Sequence, residues 1–287
     1  MVARSVRASV LVLAVTAVVA GQPPKDAGPA ATLTNAEGKE VSLTGVRFTS
    51  GVRRLGWLGG PKDAPLALEL REPASTTFQK GVVTLIPLTA VEAVQYDYPK
   101  LSLAVTVKGL ALPLAGSLQF KGLNTCALEG SAGGVSGKFA GGAKDGFRAV
   151  VFPGAAPLPS RPAGAAWAVT IEQPKSMNPT LTVRNLKLLY ATGATEWLAD
   201  DLLLRKGSPL KLDRTALKRL ELLAVDANTH TAAAELTPAD GPERLIAFAL
   251  TRERDGKTGQ LVGLLGEVDA GWKLFPLHTV RAFGPAP

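Results

Sequence analysis

A mainly β protein is the fold the sequence predicts: two tandem, duplicated antiparallel domains, each a small sandwich or partly open barrel with one short helical turn. Three observations predict it. The 287 residues include 30 glycines and 21 prolines, with only 20% charged residues, which suits many short strands joined by frequent turns. Several segments alternate apolar and polar residues with the period of two that a half-buried strand requires. Three blocks of similar sequence also recur in the same order along the chain, the mark of a repeated unit.

Taken in order, the chain opens with Arg4 and Arg7 ahead of an apolar stretch, Ser9 to Ala20, that ends in small residues. This is the plan of a secretory signal, with cleavage expected before Gly21 and residues 1–20 removed. The apolar run is about half the roughly 20 residues a membrane-spanning helix needs, so no span is expected after cleavage. Residues 21–31, rich in Pro, Gly and Ala, read as a flexible spacer. The expected destination is outside the cytoplasm: the periplasm, the cell envelope or the extracellular medium.

The first copy is expected over residues 32–153, the second over 167–283, with a Pro/Gly/Ala linker at 154–166 and a tail at 284–287. In the first block, Leu43 to Phe48 leading to Trp57 matches Val183 to Leu188 leading to Trp197. In the second, Lys80-Gly81 through Thr89-Ala90-Val91 and Val94 matches Lys206-Gly207 through Thr215-Ala216-Leu217 and Leu220. The third pairs Gly146-Phe147-Arg148 with Gly271-Trp272-Lys273. The spacing jumps once, which implies an insertion in the first copy around Leu66 to Ala74, expected as a surface loop.

Within the copies, Leu101 to Val107 alternates as a strand, and Asp255-Gly256 between apolar runs is a strong hairpin turn. Ile86 to Val94 places apolar residues three apart, as a short helical turn would, and Leu212 to Leu220 repeats the pattern with a helix expected to reach Leu223. This unit of strand, Pro-Leu turn and strand resembles those of small SH3-like barrels, a likeness of fold that implies no activity.

The formal charge of +8 favours anionic partners, and an anionic envelope component or polysaccharide is the expected class. Export argues against nucleic acid. The densest basic cluster, Arg252, Arg254 and Lys257, is interrupted by Glu253 and Asp255 and reads as a solvated hairpin. Cys126 is the single cysteine, so no intramolecular disulfide can form, and it reads as a small buried side chain on a strand. With only His230 and His278 beside it, no His/Cys zinc site is expected. Asp200-Asp201 reads as a turn, so no metal and no cofactor are expected. Gly134 to Lys138 lacks the last glycine of a nucleophile elbow, and Gly256-Lys257-Thr258 lacks the first glycine of a phosphate loop.

No catalytic residues emerge. The leading expectation is a non-catalytic binding or scaffolding module; the alternative is a secreted glycan hydrolase using carboxylates such as Glu69, Glu72 or Asp97. The ligand-binding candidates are aromatic: Tyr96 and Tyr98, which would share one face of a strand, and Trp57 and Trp197, which match across the copies. Core packing accounts for all four more simply than a ligand does.

Overall fold

The computed structural model describes residues 30–59, 64–71, 81–118, 124–141, 146–158, 163–172, 179–193, 195–205 and 209–287. The expected signal, the spacer up to residue 29 and Glu72 lie outside them. In the first half the strands are β1 (Ala31–Thr34), β2 (Glu40–Ser50), β3 (Val52–Arg54), β4 (Leu66–Arg71), β5 (Val83–Pro87) and β6 (Val91–Asp97), followed by β7 (Ser102–Val107), β8 (Leu114–Ser117), β9 (Ala127–Ala132), β10 (Val135–Ala140) and β11 (Ala149–Val151). The second half contributes β12 (Ala166–Ile171), β13 (Thr180–Thr192), β14 (Thr195–Ala199), β15 (Asp201–Leu202), β16 (Leu210–Lys211) and β17 (Leu217–Asp226). It ends with β18 (Thr231–Pro238), β19 (Arg244–Ala249), β20 (Thr251–Arg254), β21 (Lys257–Val268), β22 (Gly271–Pro276) and β23 (Val280–Pro285). The protein is mainly β and its sheets are antiparallel; the helical elements among the described residues are single 3-10 turns at Gly56–Leu58, Leu88–Ala90 and Leu277–Thr279.

One sheet has the strand order β10-β9-β2-β1-β11-β6-β7-β8. A larger sheet contains the path β22-β21-β13-β12-β23-β17-β18-β19, the same arrangement of corresponding strands. Register agrees as well as order. Val150 of β11 faces Leu33 and Val94, and Phe283 of β23 faces Val169 and Leu220. Residues 43–48 on β2 and 183–188 on β13, and likewise Val91 and Val94 on β6 and Leu217 and Leu220 on β17, therefore take like places in the two strand orders, whereas Trp57 lies in a 3-10 turn and Trp197 in β14. The third recurring block does not correspond: β11 stands where β23 stands, so Arg148 corresponds to Arg281 rather than to Lys273.

The apolar spacing of three that reads as helical has a different cause. In β6 a bulge between Val91 and Ala93 lets Val91 and Val94 both face the core, and in β17 a bulge between Leu217 and Arg219 does the same for Leu217 and Leu220. An extra residue in one strand shifts its inward side by one position, so period two becomes three without a helix. The turn before β6 is the 3-10 turn Leu88–Ala90, and no helix reaches Leu223, which is exposed on β17. Before β17 the Asp213 carboxylate accepts the N–H groups of Thr215 and Ala216 at 2.9 and 2.7 Å, closing a turn that ends where the strand starts.

The expected surface insertion is also a strand. β4 pairs with β3 and β5, and β5 pairs with β22, so three first-half strands extend the second sheet. Leu68 and Leu70 of β4 face the first core, whereas Ala67 faces a smaller cluster with Leu55, Val83, Leu85, Leu189, Leu265 and Leu274. Alternation of apolar side chains to both faces holds a strand in the middle of a protein and not in a loop. At this joint Leu85-Ile86-Pro87-Leu88 and Leu274-Phe275-Pro276-Leu277 each run from a strand through proline into a 3-10 turn. A main core lies in each half, and the third cluster lies at the joint.

Candidate functional site

The joint carries a cleft of about 450 Å³ lined by Trp57, Glu196, Trp197, Arg254, Asp255 and Lys257, among others. Its first wall follows β3. Leu55 is fully buried in the small cluster, and its carbonyl accepts the Leu58 N–H at 2.9 Å, which closes the 3-10 turn that carries Trp57. Gly56 lets this turn approach β14: a Cβ there would lie 3.3 Å from the Glu196 Cβ. The Trp57 ring meets Trp272 edge-on at 6.3 Å.

The floor comes from the β13–β14 hairpin, which places Tyr190 opposite Trp197 with their rings stacked at 6.0 Å and 12°. Trp197 lies across Gly259 of β21 so closely that no side chain fits there. The other wall is the β20–β21 hairpin, whose turn residues Asp255 (φ 51°) and Gly256 (φ 72°) both have the left-handed backbone of the tight turn expected from the sequence. Beneath the hairpin the Arg252 guanidinium donates to the Asp201 carboxylate at 2.9 Å and to its carbonyl at 3.1 Å, anchoring the hairpin to the body.

The polar groups of the site are incompletely paired. Arg53 of β3 donates through Nη2 to Oε1 of Glu196, a single-armed ion pair that joins the two halves. Arg53 Nε, Glu196 Oε2, Trp57 Nε1 and Trp197 Nε1 are buried without a hydrogen-bond partner among the described residues. A buried polar atom left unpaired costs roughly 1–3 kcal/mol, so three on residues that line the cleft, with a fourth on Arg53, the partner of Glu196, set this region apart from an ordinary core. The fully buried Tyr190 hydroxyl also lacks a well-formed hydrogen bond; burial raises its pKa, against the pull of nearby Arg252.

Of the four aromatic candidates, two come together and two do not. Trp57 and Trp197, matched by the recurring block, occupy different kinds of element, a turn and a strand, yet both line the cleft. Tyr96 faces the first core, edge-on to Phe147, with its hydroxyl 3.0 Å from Cys126 Sγ. Burial pushes the Cys126 thiol up to about 11, against the lowering effect of that contact. Tyr98, just past β6, lies with the Arg148 guanidinium 5.5 Å from its ring centre and takes no part in the cleft.

The carboxylates weighed for catalysis do not meet. Glu69 is held by Arg71 at 2.9 Å on β4, and Asp97 by Lys100 at the end of β6 in the other sheet. The hydrogen bond from Lys100 is the main cause that lowers the Asp97 pKa. Among the described residues no three His, Cys, Asp or Glu side chains gather as metal ligands would. Gly134 to Lys138 lies in the β9–β10 hairpin and Asp201 in the ion pair with Arg252.

Four residues here were not assigned to a site from the sequence. Arg53 and Glu196 carry no motif, and Arg254 and Lys257 read as a solvated hairpin although this hairpin borders a cleft. The matched tryptophans were the one signal that pointed to the place. No family model matches the chain, and comparisons with curated proteins and with solved structures return no match.

Proposed function

We propose that the chain is an exported, non-catalytic binding module that takes a carbohydrate of the cell envelope or its surroundings in the cleft between Trp57, Trp197 and the β20–β21 hairpin. The observation that carries this reading is the convergence of Trp57, Trp197 and the cationic side chains of Arg254 and Lys257 on one cleft built from both halves. The half-buried Trp57 ring offers an apolar surface against which a sugar ring can lie, and Arg254 and Lys257 on the rim supply donors to its hydroxyls. Export rests on the amino-terminal pattern of Arg4, Arg7 and the short apolar run. The same reading includes an ancestral duplication, supported by the common strand order of the two halves and by parts of two recurring blocks on corresponding strands. In that history a single-domain binder was doubled, and the site grew where the copies met.

The hydrolase alternative draws on one observation: two carboxylates, Glu196 and Asp255, line the cleft. Glu196 is already engaged by Arg53, and Asp255 stands on the exposed tip of the hairpin, which favours the binding role. Isothermal titration of a panel of soluble oligosaccharides into the full chain tests the proposal. Wild type should bind at least one class without releasing shorter products, and Trp57→Ala should abolish the heat of binding. Reducing ends that accumulate and vanish in Glu196→Gln would support the hydrolase instead.

A further inference from the structure

Resting on the reading of the cleft as a carbohydrate site, we infer that its ligand is an acidic glycan, whose carboxylate or sulfate groups are held by Arg254 and Lys257 while the sugar ring lies against Trp57. The hairpin register carries the inference. Arg254 and Lys257 form a directly opposed cross-strand pair on either side of the Asp255-Gly256 turn. Two like charges in that relation destabilise a hairpin. An anion between them removes the repulsion.

The face on which they stand is the relevant one. Side chains two apart on a strand share a face, so Lys257 lies on the side of Gly259, against which the Trp197 ring packs. Both cations are available. Arg254 reaches Asp255 only at 3.6 Å, on an exposed tip where such a contact contributes little, and Lys257 has no ion pair among the described residues. Glu196, the acid deeper in the cleft, is engaged by Arg53.

The unpaired atoms point the same way. Of the lining residues, Trp57 and Trp197 each carry an unpaired Nε1 donor and Glu196 an unpaired Oε2 acceptor. With Arg254 and Lys257 on the rim, donors outnumber acceptors, which suits a ligand rich in acceptor oxygens, reached directly or through water. Carboxylated and sulfated sugars meet that requirement while offering ring faces to an indole.

The test is a titration of the full chain with three probes of matched length: an oligogalacturonate, a sulfated dextran and neutral dextran. Wild type should bind one or both acidic probes at least about tenfold more tightly than the neutral one, the size expected of one charge-assisted contact, and more weakly as salt rises. The double variant Arg254→Gln, Lys257→Gln should lose that preference while its thermal unfolding stays close to wild type, since both residues are on a hairpin tip. Lys257→Glu should weaken acidic probes further. Equal affinity for all three probes, or an acidic preference that survives the double variant, overturns the inference while leaving the carbohydrate site standing. Absence of binding to every probe, or binding unaffected by Trp57→Ala, overturns the site itself and the inference with it.

Discussion

The two halves bury their aromatic side chains in opposite ways. In the first, Tyr96 packs edge-on to Phe147 and its hydroxyl meets Cys126, so the ring and its polar end are both accommodated within one closed core. In the second, Tyr190 stacks on Trp197, and neither the hydroxyl nor the indole nitrogen has a well-formed hydrogen bond. The residue types are alike; the surroundings differ. Tyr96 lies inside one half, whereas Trp197 lies where a turn and a hairpin from different parts of the chain leave a gap beside it. Satisfied polar groups mark a region organised for stability, and unsatisfied ones mark a region where stability has been traded for something else.

The largest expected effect is at Trp197. Trp197→Ala removes a nearly buried ring packed on Tyr190 and Gly259 and should destabilise the protein by roughly 3–5 kcal/mol in denaturant unfolding. A cost below about 1 kcal/mol would mean the ring is a loose surface group and would break the comparison.

A smaller effect is expected at alkaline pH. Burial raises the Cys126 thiol from 9.0 to about 11 and raises the Tyr96 hydroxyl in the same direction. The folded state therefore holds these protons more tightly than the unfolded chain. Stability should be intact below pH 9 and fall as the pH climbs toward 11, by about 2 kcal/mol from the thiol alone. Unfolding in denaturant at stepped pH measures the slope, and Cys126→Ala should flatten it.

The sharpest contrast is between two identical substitutions. Tyr96→Phe removes a hydroxyl that has a partner and should cost about 1 kcal/mol, whereas Tyr190→Phe removes one without a good partner and should be neutral or slightly stabilising. Equal losses at both positions, read from parallel unfolding curves, would dissolve the distinction between the closed and the open region.

How much of this was legible in the sequence depends on the range of the interaction. The β7 strand and the Asp255-Gly256 turn follow from neighbours a few residues apart, and both formed as expected. The short helix through Leu212–Leu223 did not form, because a bulge in β17 imitates helical spacing when only the apolar positions are read. β4 reads as a surface insertion in the sequence because its partner strand β5 reaches β22 of the other half, a contact nearly 190 residues away in the chain that no local pattern carries. For the same reason the Arg254–Lys257 hairpin was read as solvated: its lining role depends on Trp57, brought up from the other half. Matching Trp57 with Trp197 located the cleft, although for packing and not for a ligand. Tyr96 and Tyr98 share the strand-face argument but point to a core and to Arg148.

The chain has four tryptophans, and their indole N–H groups give the most direct test of the central claim, that the cleft between the halves is the binding site. Trp57 and Trp197 line it, Trp272 touches Trp57, and Trp167 is buried in the second core away from the lining residues. In a nitrogen-15 correlation spectrum recorded during titration with an acidic oligosaccharide, the indole signals of Trp57 and Trp197 should move together and saturate while that of Trp167 stays in place. Saturable binding that leaves the Trp57 and Trp197 signals unmoved would contradict the account.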